Sequence, residues 1–292
     1  MKVSLLHPAT FKLDGGAMFG IIPKPLWERK IKPDELNRIH MSLRVVLLET
    51  RNKKILIDTG IGDYHGEKFE RQFAVSGNKS PLENSLKEAG VSPGEITDII
   101  LTHLHFDHVG GLGKGANNHQ RVFPNATVHL HQKHYEYAKA PTQRDGGSFH
   151  SSYFVPLLEK YEKENKLHFL QDPHQDQERE ILRDGDESVN FLTSFGHTPY
   201  MVHPIFNGYI YMADLVPMSH HLNIPWVMGY DIEPGTTTIF KEKFYKHILK
   251  NDLAMIFEHD MDIWGGKLGM DDKKRFILEK PYKSSGAAVE RL

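Results

Sequence analysis

Hydrophobic residues recur along the chain in short β-branched runs that alternate with amphipathic stretches. Residues 43–50 and 54–58 read as two strands of a hairpin turned at Arg51, Asn52 and Lys53, with Thr59 and Gly60 closing the second. Residues 81–89 carry a helical pattern that stops at Gly90, and 96–102 follow as a buried strand. Residues 126–131 predict another strand, and 132–140 and 155–166 predict helices. The second half repeats the theme, with strands over 189–194, 201–206 and 209–213, a helix over 235–249 and a strand over 253–257. Strands in both halves with helices between them predict an α/β fold of two packed mixed sheets with helices outside. No Gly/Ser linker or low-complexity tract divides the chain, so 1–292 is expected to be one domain.

Composition narrows the function classes. Hydrophobic residues make up 39% of 292 and charged residues 25%, as in an ordinary globular protein. The formal charge of -2 gives no footing for a nucleic-acid backbone. With no basic leader before an apolar run, and no apolar run of about 18 residues, a cytoplasmic location and no membrane are expected. Cysteine is absent, which excludes disulfides, thiolate nucleophiles and zinc ribbons, so any transition metal must bind through histidine and carboxylate. Histidine is the outlier, at 19 residues.

Its placement is not random. The segment 101–111, LTHLHFDHVGG, brings His103, His105, Asp107 and His108 together just after a buried strand. Residues two apart in extended chain point the same way, so His103 and His105 suit one metal while Asp107 and His108, past the turn, face a neighbouring one. Gly110 and Gly111 permit a tight backbone before the next element. Four ligands cannot complete two shells, so further donors are expected at later strand ends. His197, Asp214 and His259 occupy such positions. Five histidines and two aspartates make the inventory of a site for two divalent metal ions in which one Asp bridges.

This HxHxDH, H, D, H series resembles the metallo-β-lactamase superfamily, whose αββα sandwich carries it. The resemblance implies that His103, His105 and His197 hold one metal, that Asp107, His108 and His259 hold the other, and that Asp214 bridges. It also implies that Asp58, in the Asp58-Thr59-Gly60 turn, supports the site from behind the ligands. Residues 14–20 (DGGAMFG), 23–27 (PKPLW), 102–108, 212–214 and 226–231 (WVMGYD) look like the quorum-quenching N-acyl-homoserine lactonases, with methyl parathion hydrolase a relative. Two departures stand out. Residues 196–201 lack the second His of GHTPGH, and Pro217 stands where some lactonases carry an active-site Tyr, which leaves the proton donor unassigned.

The ligand set implies hydrolysis. Two ions sharing a water lower its pKa, and the bridging hydroxide attacks a lactone carbonyl while the ring oxygen leaves, with Asp107 able to carry the proton. Zinc is expected, with manganese, iron or cobalt as alternatives according to supply. Arylesters and organophosphates are the alternative substrates, followed by thioesters and nucleic-acid processing. Expected partners are a small lactone or ester and no nucleic acid, with a homodimer allowed. Met18, Phe19 and Trp27 form an apolar run broken by Gly and Pro, a loop suited to wall an acyl pocket, and Trp226 and Tyr230 are further candidates. His129, His131 and His134 are expected to be solvated, 159–166 to be a charged helix face, and 171–180 a surface loop.

Overall fold

The computed structural model describes residues 1–76, 81–115, 120–172 and 177–292. The first half contributes β1 (Lys2–Asp14), α1 (Gly15–Phe19), α2 (Lys24–Trp27), β2 (Arg38–Glu49), β3 (Lys54–Ile57), α3 (Glu67–Gln72), α4 (Pro81–Ala89) and β4 (Asp98–Ile100). It continues through α5 (Phe106–Val109), a short hairpin of β5 (Gly113–Lys114) and β6 (Gln120–Arg121), β7 (Thr127–His131), α6 (Gln132–Lys139), α7 (Ser151–Lys163) and β8 (Leu167–Leu170). The rest holds β9 (Arg179–Asp184), β10 (Glu187–Ser194), β11 (Met201–Phe206), β12 (Tyr209–Tyr211), α8 (Pro234–Lys250), β13 (Ala254–Ile256), β14 (Ile263–Met270), β15 (Phe276–Lys283) and β16 (Val289–Arg291).

Two mixed sheets result. One runs β16-β1-β2-β3-β4-β7-β8 and the other β15-β14-β13-β12-β11-β10-β9. The run Val45, Val46, Leu47, Leu48 shows why they stack. Val46 and Leu48 join the layer that also holds Phe191, Val202 and Met255 of the second sheet. Val45 and Leu47, on the opposite face, pack with Leu86 of α4 and Phe154 and Leu157 of α7. A strand buried on both faces is apolar throughout instead of alternating. Helix α8 covers the second sheet with Phe240, Phe244 and Tyr245. The layers are therefore helix, sheet, sheet, helix, as the pattern and the resemblance implied.

The differences are local. Strand β1 escapes an alternation test because its register with β2 shifts between Leu6 and Ala9, where Pro8 has no N–H to give the ladder. The expected loop over 18–27 is instead two helical turns, α1 and α2. Of the loop expected over 171–180, residues 173–176 lie outside the described residues, and Arg179 and Glu180 already belong to β9. Among the described residues no helix is long and apolar enough to cross a membrane.

Every donor group follows a strand end on one edge of the sandwich: Asp58 after β3, the 102–108 segment after β4, His197 after β10, Asp214 after β12 and His259 after β13. Turning there puts non-glycine residues into the left-handed region at Asp58 (φ 59°) and Ala213 (φ 40°), a cost that concentrates at functional sites. Gly110 and Gly111 are required for close approach. A side chain at Gly110 would run into the Ile61 carbonyl and one at Gly111 into that of Thr59, while Gly110 itself has an ordinary helical φ of -60°.

Candidate metal centre

The histidines and carboxylates converge from four segments into a buried cluster. One donor atom each from His103, His105, His197 and Asp214 lie within 4.8 Å of one another, and so do those of His108, Asp214, Glu258 and His259. Asp214 is common to both groups. Its Oδ2 is 3.0 Å from His197 Nε2 and 3.6 Å from His108 Nε2, and its Oδ1 is 3.2 Å from His259 Nε2. Asp107 Oδ2 reaches 3.7 Å from His259 Nε2 and 4.0 Å from His108 Nε2. All seven residues singled out by spacing thus meet, and two four-donor groups share one carboxylate.

These donors suit a divalent cation. The Nε2 atoms of His103, His105 and His108 are buried without a hydrogen-bond partner, which is costly unless an ion takes the lone pair. His105 Nδ1 and His197 Nε2 face each other at 3.1 Å, two ring nitrogens that a cation satisfies better than each other. Outward-facing nitrogens are anchored. His197 Nδ1 is 2.9 Å from Asp231 Oδ1, His259 Nδ1 donates to the Ser42 carbonyl at 2.8 Å, and His108 Nδ1 is 3.0 Å from Asp58 Oδ2. Asp58 in turn accepts from the Thr102 N–H at 2.8 Å and its hydroxyl at 2.7 Å. Such backing orients imidazoles and sets the tautomer that leaves Nε2 free to bind.

Electrostatics divides the cluster. Burial and the neighbouring His108 and other histidines hold His103 well below its usual pKa, and burial and His197 do the same to His105. Burial opposes charge on His197 and His259 too, but Asp214 outweighs it, with Asp231 and Glu258 adding their parts, and both rise to about 9. Asp214 is held far below the carboxylate range in spite of burial, because His197, His259 and His108 surround it. Metal binding to this cluster therefore displaces protons.

Several neighbours escaped the sequence reading. Glu258 is fully buried, with Oε2 at 3.1 Å from His108 Nδ1, a nitrogen already engaged by Asp58. Burial pushes Glu258 up to about 7, against the pull of His108 and His259. The only hint was its place in 257–260, FEHD, where four residues carry three ligand types. His134, expected in solvent, is buried, accepts the Leu104 N–H at 2.9 Å through Nε2 and donates through Nδ1 to the Pro199 carbonyl. His129 and His131 are likewise buried, against Asp98 and Asp172 at 2.8 Å each. None of the three is solvated: His129 and His131 sit on β7, inside the first sheet, and His134 on α6 is tied to Leu104 and Pro199.

A cavity of about 240 Å³ opens over the cluster. Asp107, His105, His197, Asp214 and His259 line its floor, and Leu13, Met18, Met41, Phe73, Phe106 and Met228 make apolar walls. Met18 and Tyr230 line it, and Trp226 does not. Phe19 and Trp27 do not; they are buried, with rings stacked at 5.3 Å, and Phe19 meets the edge of Trp226 at 5.8 Å and stacks on His221 at 4.8 Å. The expected wall over 18–27 is mostly core because α1 and α2 turn those rings into an apolar cluster with Phe11, Ile39 and Met41. Pro217 is buried, and its carbonyl accepts from the His259 N–H. Buried Lys241 binds the segment between, donating to the carbonyls of His221, Asn223 and Trp226 at 2.6–2.9 Å.

Comparison with known proteins agrees with this geometry. The Metallo-beta-lactamase superfamily model matches residues 44–247. The N-acyl homoserine lactonase AttM of Agrobacterium fabrum is 25% identical over 185 residues, 62% of this chain and 64% of that protein, so the match leaves over a third of the relative unaligned. An N-acyl homoserine lactonase of Bacillus sp is 26% identical over 80% of this chain and 86% of its own. Among solved structures, one described as a probable metal-dependent hydrolase from Staphylococcus aureus superposes with a TM-score of 0.79 at 27% identity, covering 95% of this chain and 96% of that one.

Proposed function

Because the chain belongs to the metallo-beta-lactamase superfamily, we propose that it is a dinuclear metal-dependent hydrolase that opens the lactone ring of N-acyl-homoserine lactones, the whole of 1–292 acting as one unit. The observation that carries this reading is the double donor group sharing Asp214 at the floor of an apolar cavity. His103, His105 and His197 would hold one ion, Asp107, His108 and His259 the other, and Asp214 both. Two divalent ions supply Lewis acidity and a water acidic enough to be deprotonated near neutral pH.

The chain's own groups do the rest. Leu13, Met41, Phe73, Phe106 and Met228 present an apolar channel for an acyl arm, worth about 0.8 kcal/mol per buried methylene. Asp107 lines the same cavity, so its carboxylate is placed to take up the proton released by an attacking water. Asp231 and Asp58 hold His197 and His108 in register. Zinc is the ion we propose, and a small diffusible lactone in the cytoplasm the setting.

A pH-stat assay of metal-loaded protein tests the reading. Lactones of graded acyl length, a paraoxon-type triester and a thioester are compared under one condition. The reading predicts the highest kcat/KM on lactones, rising with chain length until the channel is filled. A clear preference for the triester or thioester would overturn the lactonase assignment while leaving the metal centre.

A further inference from the structure

Opening a lactone or alkyl ester requires a proton for the departing oxygen, whose conjugate alcohol is about as weak an acid as water, near pKa 15.7. The cavity offers few groups able to provide it. Its histidines and Asp214 belong to the donor cluster, and in the reading above Asp107 is the acceptor of the attacking water's proton. Ser148 is itself an alcohol and gains nothing by the transfer. Arg144, at the rim, is engaged with the carbonyls of Gly229 and Asp231.

Tyr230 remains. It lines the cavity, and among the described residues its hydroxyl hydrogen-bonds no group of the protein. The turn that carries it is fixed at both ends. The Gly229 N–H donates to the Ala17 carbonyl at 2.7 Å, Arg144 donates to the carbonyls of Gly229 at 2.6 Å and Asp231 at 3.1 Å, and the Asp231 carboxylate grips His197. The residue between those anchors is therefore set in register with the donor cluster. A phenol anchored this firmly at the cavity, with its O–H unused, is a preorganised donor.

We propose that Tyr230 is a catalytic residue, the phenol that protonates the leaving oxygen; the proposal rests on the hydrolase reading above. Water oxygen adds to the acyl carbon and its proton passes to Asp107. The bond from acyl carbon to ring oxygen then breaks, its electron pair stays on that oxygen, and the Tyr230 proton joins it. Asp107 returns its proton to the phenolate, and water has been added across the ester. Burial, with the Asp14 and Asp107 carboxylates, raises the phenol to about 12, so it is protonated at neutral pH yet more acidic than an alkanol. The transfer runs downhill to an alkoxide and has no driving force toward a nitrophenolate.

The test is a leaving-group series on wild type and Tyr230→Phe: butanoyl-homoserine lactone, then ethyl, phenyl and 4-nitrophenyl butanoate, with metal content and circular dichroism measured on both. Tyr230→Phe keeps the ring, so the fold and metals are expected to persist. The proposal predicts a fall in kcat of about 10²-fold or more on the lactone and ethyl ester, and of less than about threefold on the 4-nitrophenyl ester. An equal loss across the series, or none, overturns it and leaves the proton to Asp107. If Tyr230→Phe loses metal, the wild-type series decides alone: a shallow dependence on leaving-group acidity supports a donor and a steep one refutes it. Wild type inactive on every substrate of the series would contradict the hydrolase reading instead.

Discussion

Replacing Asp214 by Ala should strip both ions, not one. The carboxylate reaches His197 and His108 through Oδ2 and His259 through Oδ1, and it is the one residue common to the two donor groups. A four-ligand zinc site is worth about 10–16 kcal/mol, so one ligand in four contributes about 3–4 kcal/mol, and its loss should weaken each site by roughly 10²–10³-fold. A second effect opposes the first without restoring the lost ligand: with Asp214 gone, His197 and His259 lose the partner that raised them to about 9, so fewer protons compete with the metal. The assay is metal analysis of wild type and Asp214→Ala after dialysis against graded chelator. The expected outcome is simultaneous loss of both ions at chelator levels that leave wild type loaded. A variant that gives up one equivalent and holds the other with wild-type affinity would refute the bridging role.

Asp231→Ala removes the carboxylate behind His197 Nδ1, and metal affinity should fall by about 10–100-fold with the fold retained, as checked by the same chelator titration beside circular dichroism. Acid should destabilise the protein through histidines that are neutral in the fold. Burial lowers His134 to about 4 and His203 and His221 to about 3, so the stability they lend is complete above pH 6.5 and is lost as pH falls toward those values, about 3 kcal/mol for a group shifted by 2.5 units. Urea denaturation at pH 7.5, 6 and 5 should show a falling midpoint, and a flat profile would contradict those neutral states.

The donor cluster was legible because four of its residues sit within six positions after a strand, and the other three also close strands of the same edge. A two-residue period fixes which way an extended segment points, so spacing stands in for geometry. Glu258 and Asp231 were not legible. Their roles come from contacts across the fold, with His108 and with His197, that no local pattern encodes. The pocket was harder still, since Leu13, Met41, Phe73, Phe106 and Arg144 arrive from separate segments. Phe19 and Trp27 looked like a mouth because Gly and Pro break their run, yet both turn inward. At the level of strands, β1 and β15 were hidden by a bulge around Pro8 and by the exposed, irregular pattern of an edge strand carrying Pro281.

The most direct test of the central claim is a metal titration of activity. Chelator-stripped protein is given zinc in fractional equivalents while proton release from a long-chain N-acyl-homoserine lactone is followed by pH-stat. If two ions held by the shared Asp214 perform ring opening, the rate rises with added metal and breaks at two equivalents per chain. A break at one equivalent, or full metal loading with no proton release, would contradict a dinuclear lactonase.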